Sequence, residues 1–252
     1  YECGIPIRIA HSHGYALPLK RHYIRRLYEY IYRSMIRHYA TKLIACSGMA
    51  ADYLYGEEST VEIVPNAVEL DKFSYEKEPA ENPWSLICVG RYGSPKNQLF
   101  LIDAFEKICK KHTTAILTLV GYGNEQYYNE VVEKIHRAGI EDNIKLYPGD
   151  SDIPQLLAKN NVFVLPSAFE GLGIVFIEAQ AIGLKCFAST RVPREANCGG
   201  VEFIALESGA DIWAEKISDY IQENGAVRIQ ADLKKYDAHL MKENYTKIYD
   251  LP

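Results

Sequence analysis

The chain has 252 residues, of which 48% are hydrophobic and 24% charged, with a formal net charge of -5 at pH 7. That supplies apolar material for one large core or two small ones, and its acidic balance argues against a nucleic-acid partner, which would call for a basic surface. The longest apolar runs, such as 115–120, are strand-length and too short to span a bilayer.

Taken in chain order, the first strand is predicted at 5–10 and a helix at 18–38. The start of that helix is strongly basic: Lys20, Arg21, His22, Arg25, Arg26, Arg33 and Arg37, with Glu29 its only acid. Such a stretch is either a solvated helix face or an amphipathic helix lying on an anionic membrane through residues 20–37. A strand at 42–46, a helix at 49–55 and a strand at 61–64 follow. The polar stretch 69–83, with Pro79 and Pro83, reads as a linker. Beyond it, strands are predicted at 86–90, 115–121, 144–147, 162–166, 185–189 and 201–204. Helices are predicted at 98–112, 124–138, 153–160, 174–182 and 211–223, and short amphipathic helices from 236 onward.

Short, nearly continuous apolar strands alternating with helices predict an α/β fold with a parallel sheet covered on both faces. We expect three parts: a partial unit over 1–78, a complete unit over 79–235 and a terminal helix over 236–252. Cysteines 3, 46, 88, 109, 186 and 198 include no Cys-x-x-Cys pair, and read as buried free thiols in a reducing cytoplasm. Because the chain opens at Tyr1 and runs straight into a strand, we expect its true N-terminus to lie upstream.

Loops at the carboxyl ends of parallel strands form the ligand crevice. The first runs Gly90-Arg91-Tyr92-Gly93-Ser94-Pro95-Lys96. A guanidinium fork and an ammonium five residues apart suit a diphosphate, unless both are merely solvated. In Gly121-Tyr122-Gly123-Asn124 a third glycine would fall at Gln126, so no dinucleotide fingerprint is completed and no NAD is expected. These glycines either make a tight turn or admit a ligand to the backbone. Pro148-Gly149 is a candidate wall for a nucleobase. Most informative is the run Pro166-Ser167-Ala168-Phe169-Glu170-Gly171-Leu172-Gly173-Ile174-Val175-Phe176-Ile177-Glu178. Here a strand gives way to a Gly-rich turn and an apolar helix, whose free N–H groups form an anion site. Glu178, a carboxylate on an apolar helix, needs donors, and a ribose diol would supply them.

The segment from Ser167 to Glu178 resembles the Glu-x7-Glu motif of retaining glycosyltransferases of family 4, which adopt the GT-B fold. Val89-Gly90-Arg91 with Lys96-Asn97-Gln98 resembles that family's donor-phosphate loop, and the run from Val64 to Phe73 its segment closing the N-terminal domain. His11-Ser12-His13, Ala45-Cys46-Ser47 and 244–249 resemble further pieces in the expected order, with the closest likeness to capsular and exopolysaccharide enzymes. The usual Asn-Gly of the closing segment is Asn66-Ala67 here, which predicts a less comfortable left-handed turn.

The resemblance implies a complete nucleotide-sugar-binding Rossmann-like domain, the remnant of an acceptor-side domain and a helix crossing back onto it. It implies Arg91 and Lys96 on the diphosphate, Glu178 on the ribose and Glu170 at the donor sugar. The amides around Gly171, Leu172, Gly173 and Ile174 would hold the distal phosphate. Gly90, Gly121, Gly123, Pro148 and Gly149 would line the donor site. His13, preferred to His11, would face the sugar unless it is structural. The implied activity is transfer from a UDP- or GDP-sugar to a hydroxyl of a glycan or lipid-linked acceptor, with no metal or other cofactor. A GT-B-like sugar-nucleotide epimerase and a catalytically incomplete nucleotide-binding fragment are the alternatives.

Overall fold

A computed structural model describes residues 4–14, 23–56, 60–73 and 78–249. Two parallel sheets organise it. The first is β1 (Ile9–Ser12), β2 (Lys42–Ala45) and β3 (Glu62–Ile63), in the order β1-β2-β3. The second is β4 (Ser85–Val89), β5 (Ile116–Val120), β6 (Ile144–Tyr147), β7 (Val162–Leu165), β8 (Lys185–Ser189) and β9 (Val201–Ile204). Their order is β6-β5-β4-β7-β8-β9, and every pairing is parallel. Strands β4, β7 and β8 are buried almost throughout, which explains their unbroken apolar sequence. The chain leaves β4 toward one edge and β7 toward the other, so the switch point lies between them, where such sheets open a crevice.

The helices are α1 (Tyr23–Tyr39), α2 (Gly48–Tyr55), α3 (Gln98–Lys111), α4 (Glu125–Ala138), α5 (Ile153–Ala158), α6 (Ile174–Ile182), α7 (Gly209–Asn224) and α8 (Ala238–Ile248). Local chemistry sets several ends. The Asn124 side chain accepts the Tyr127 N–H at 2.9 Å to start α4, and Gly139, at φ 64°, ends it. Trp213, Phe105, Phe163, Phe176 and Phe187 are fully buried between helices and sheet. Cys46, Cys88, Cys109, Cys186 and Cys198 are buried free thiols.

Three expectations need correction. The first strand lies at Ile9–Ser12 rather than at 5–10. Pairing with β2 begins at Ile9 and runs to Ser12, while Ile5 and Ile7, which drew the sequence reading upstream, are 56% and 36% exposed. The 69–83 stretch is also no free tether where it is described. A 3-10 turn at Leu70–Phe73 buries Phe73, and the Asn161 amide clasps both the N–H and the carbonyl of Ala80 at 2.9 Å. Finally, Ala67 carries no strain, because Asn97 is the one non-glycine residue at positive φ among those described.

Helix α1 forms, but Lys20, Arg21 and His22 of the basic stretch lie outside the described residues, as do the side chains of Arg25 and Arg26. Arg33 lies over the Tyr53 ring at 4.6 Å, and Arg37 donates to the Tyr55 carbonyl at 2.8 Å. Both therefore engage α2, and α1 turns Leu27, Tyr28, Ile31 and Met35 outward instead. The electrostatic argument for an anionic membrane loses those two charges. Among the described residues no helix is long and apolar enough to cross a membrane.

Candidate donor site at the switch point

The loop after β4 is held from beneath. Gln98, 1% exposed, donates to the Arg91 carbonyl at 3.1 Å and to the Gly90 carbonyl at 3.4 Å. A turn closed by the Lys96 N–H on the Gly93 carbonyl (3.0 Å) folds the Lys96 stem back over Gly90, where a Cβ would lie 3.3 Å from Lys96 Cγ. Lys96 thus crosses the end of β4, and its Nζ pairs with the Glu170 carboxylate. Arg91 is exposed, and no ion pair ties it among the described residues.

Glu170 arrives from the loop after β7. Ser167, 0% exposed, donates to Glu170 Oε1 at 2.9 Å, and its own carbonyl accepts the Ser189 hydroxyl. The Ala168 N–H on the Pro95 carbonyl, at 2.8 Å, stitches the two loops together. Gly173, at φ 83°, makes the left-handed turn that opens α6, a conformation costly for any side chain. The Phe176 N–H donates to the Gly173 carbonyl at 2.9 Å, while the Ile174 and Val175 amides before it have no partners within the helix and carry its positive dipole end. Glu178 lies on the same helix, half-buried, with burial pushing its carboxyl above the ordinary value.

The first sheet closes over this turn. A Cβ on Gly171 would lie 2.2 Å from the His13 carbonyl oxygen, so only glycine fits there. The Ser47 hydroxyl donates to the Gly171 carbonyl at 2.5 Å, and the Gly48 N–H to Glu195 Oε1 at 2.8 Å. His13 Nδ1 lies 2.8 Å from Asn66 Oδ1, and its ring 3.9 Å from that of His11. Burial and the neighbouring His13 lower the His11 pKa, and its buried Nε2 has no hydrogen-bond partner.

Gly121 and Gly123 answer to packing. A Cβ on Gly121 would lie 2.2 Å from the Gly90 carbonyl oxygen, and one on Gly123 2.2 Å from that of Tyr92. The backbone of the β4 loop fills the space a side chain would take at both. A Cβ on Gly149 would likewise lie 2.6 Å from the Tyr122 ring. The loops together border a cavity of about 340 Å³ walled by Tyr92, Tyr122, Tyr128, Tyr147 and Pro148. A larger cavity, about 590 Å³, is lined by β2, β3 and α8 and includes none of the candidate catalytic or donor-binding residues.

Arg91, Lys96, Glu170, Glu178 and the start of α6 therefore flank the ends of β4 and β7. Sequence reasoning placed Gln98, Ser47 and Ser167 in family-like segments without giving them a role, and missed Glu195; all four shape this crevice. Among the described residues no group of three or more His, Cys, Asp or Glu is placed to hold a metal ion.

A family model described as glycosyl transferases group 1 matches residues 71–239. The chain belongs to that family. It is 29% identical over 231 residues to EpsF of Bacillus subtilis, named as a glycosyltransferase, covering 85% of this chain and 60% of that protein. It is 27% identical over 210 residues to an Escherichia coli UDP-Gal:alpha-D-GlcNAc-diphosphoundecaprenol alpha-1,3-galactosyltransferase, covering 74% of this chain and 52% of that enzyme. This group 1 chain thus spans between 52% and 60% of the length of those two relatives. Among solved structures, Anabaena HepE in complex with UDP and glucose superposes with a TM-score of 0.79 at 17% identity, covering 97% of this chain and 71% of that one. The fold of this group 1 member is GT-B-like.

Proposed function

We propose that this chain carries the donor half of a retaining, family-4-type glycosyltransferase, moving a sugar from a UDP- or GDP-sugar to a hydroxyl of a glycan or lipid-linked acceptor at the cytoplasmic side of polysaccharide synthesis. The observation that carries it is the meeting of Lys96, Glu170 and the start of α6 at the β4–β7 edge of a group 1 family chain. Arg91, Lys96 and the amides of Gly173 and Ile174 take the diphosphate. Glu178 takes the ribose hydroxyls, and Glu170 the donor sugar.

In transfer, the acceptor oxygen bonds to the anomeric carbon as the bond from that carbon to the distal phosphate oxygen breaks, and charge grows on that phosphate. Preorganised positive groups aimed there stabilise the transition state more than the ground state. We assign the acceptor's proton to the departing phosphate. His13, beside Gly171, lies on the sugar side. The aromatic cavity at the ends of β5 and β6 offers the base a stacking wall.

Arg91→Ala and Lys96→Ala should each weaken UDP or GDP binding by about 1–3 kcal/mol, the worth of a charged hydrogen bond. Titration calorimetry on this chain checks it. Unchanged affinity in both variants removes the diphosphate assignment.

A further inference from the structure

Resting on the transferase reading, we infer that Glu170 competes with the donor's diphosphate for Lys96, and so favours the nucleotide sugar over the bare nucleoside diphosphate left after transfer. The Lys96 ammonium at the mouth of β4 faces the Glu170 carboxylate of the loop after β7, with side-chain exposures of 23% for Lys96 and 10% for Glu170. Glu170 is itself held: Ser167 donates to its Oε1 at 2.9 Å, and Ser189 anchors Ser167 from below. One of the two donors is therefore a buried serine, itself anchored by a second, that cannot follow the carboxylate elsewhere, while the other, Lys96, has a flexible stem.

A diphosphate entering this crevice must draw Lys96 off Glu170 or share it. Either way a second anion comes to face Glu170 across the Lys96 ammonium, in a site too enclosed for water to screen fully. A nucleotide sugar brings compensation, because its sugar hydroxyls donate to the carboxylate as Lys96 turns to the phosphates. The nucleoside diphosphate left after transfer brings none. It has lost the sugar's donors and gained a negative charge on its distal phosphate. Glu170 then opposes the product while tolerating the donor, which speeds release of the leaving group.

The prediction runs against the ordinary result for a site residue, whose loss weakens binding. Titration of UDP and of GDP into this chain should give affinities about 3- to 30-fold tighter for Glu170→Gln than for the wild type, as Lys96 is freed from a charged partner. Glu170→Ala should tighten in the same direction, so a packing fault in one variant does not decide the outcome. Melting curves verify that both variants fold. Equal or weaker affinity in both variants overturns the competition and leaves the nucleotide site standing. A wild-type chain that binds neither UDP nor GDP overturns the site and the competition together.

Discussion

Glu178→Leu should raise the melting temperature of the free protein while weakening UDP or GDP binding by about 3–6 kcal/mol, the worth of two charge-assisted hydrogen bonds to a ribose diol. The two effects share one cause. Glu178 sits half-buried on an α6 face that is otherwise apolar, one turn from Ile174, Val175, Ala181 and Ile182, and burial is what raises its carboxyl pKa. In the free protein its charge opposes folding. Leucine has a similar volume and no charge, so it removes that opposition. With nucleotide bound, the same substitution leaves ribose hydroxyls facing an apolar side chain. Glu178→Gln, neutral but still polar, should fall between the wild type and leucine on both measures.

The pH dependence fixes the sign independently. Where Glu178 is protonated in both the folded and unfolded chain, its ionisation contributes nothing. As pH rises through the ordinary carboxylate range, about 4 in unfolded chains, the unfolded state loses its proton first. The wild type is then progressively destabilised until pH passes the raised folded value. The stability advantage of Glu178→Leu should therefore be small in acid and grow toward neutral pH. Urea melts at a series of pH values test this. An advantage that is constant, or that grows in acid, contradicts the assignment of the charge as its source.

Much of the fold was legible because its strands are buried on both faces. Apolar runs at 86–89, 117–120 and 162–165 allow little else, and α-helical runs between them leave a parallel sheet as the arrangement that covers them. The same logic failed at Ile5 and Ile7, which are apolar but exposed, because composition cannot tell a strand from the segment leading into it. Gly121 and Gly123 were legible as special positions but not as to cause. A required absence of Cβ looks the same in sequence whether a ligand or a neighbouring loop occupies the space. The Lys96–Glu170 pair spans 74 residues, and the Arg228 contact to the Glu78 carbonyl spans 150. A polar side chain that bonds to distant backbone leaves no periodicity behind.

Arg228 carries the largest stability effect we expect. It follows α7 in an irregular segment and reaches across to the end of α5, where it donates to the carbonyls of Asn160 (2.6 Å), Ala158 (2.7 Å) and Glu78 (3.0 Å). These acceptors belong to two stretches of chain, one ending a helix and one entering the second sheet. Carbonyls at a helix end lack partners within the helix, and a cation there also meets the negative end of its dipole. The cost side is visible: burial lowers the guanidinium pKa, and the buried Nε has no partner. Three charge-assisted bonds outweigh it, because each is worth about 1.5–3 kcal/mol net and their loss leaves carbonyls crowded together without donors. Arg228→Met keeps much of the stem, which packs over Gly183 with 3.1 Å between Arg228 Cβ and the place a Cβ would take there, and deletes only the fork. The expected loss is about 3–5 kcal/mol, less than the sum of three bonds because water reaches part of the site. It should appear as a lower urea midpoint with an unchanged slope. Arg228→Lys should recover little, since one ammonium cannot span three acceptors set for a planar fork. A loss below 1 kcal/mol for Arg228→Met, or full recovery with lysine, would show that the fork contributes no more than the stem.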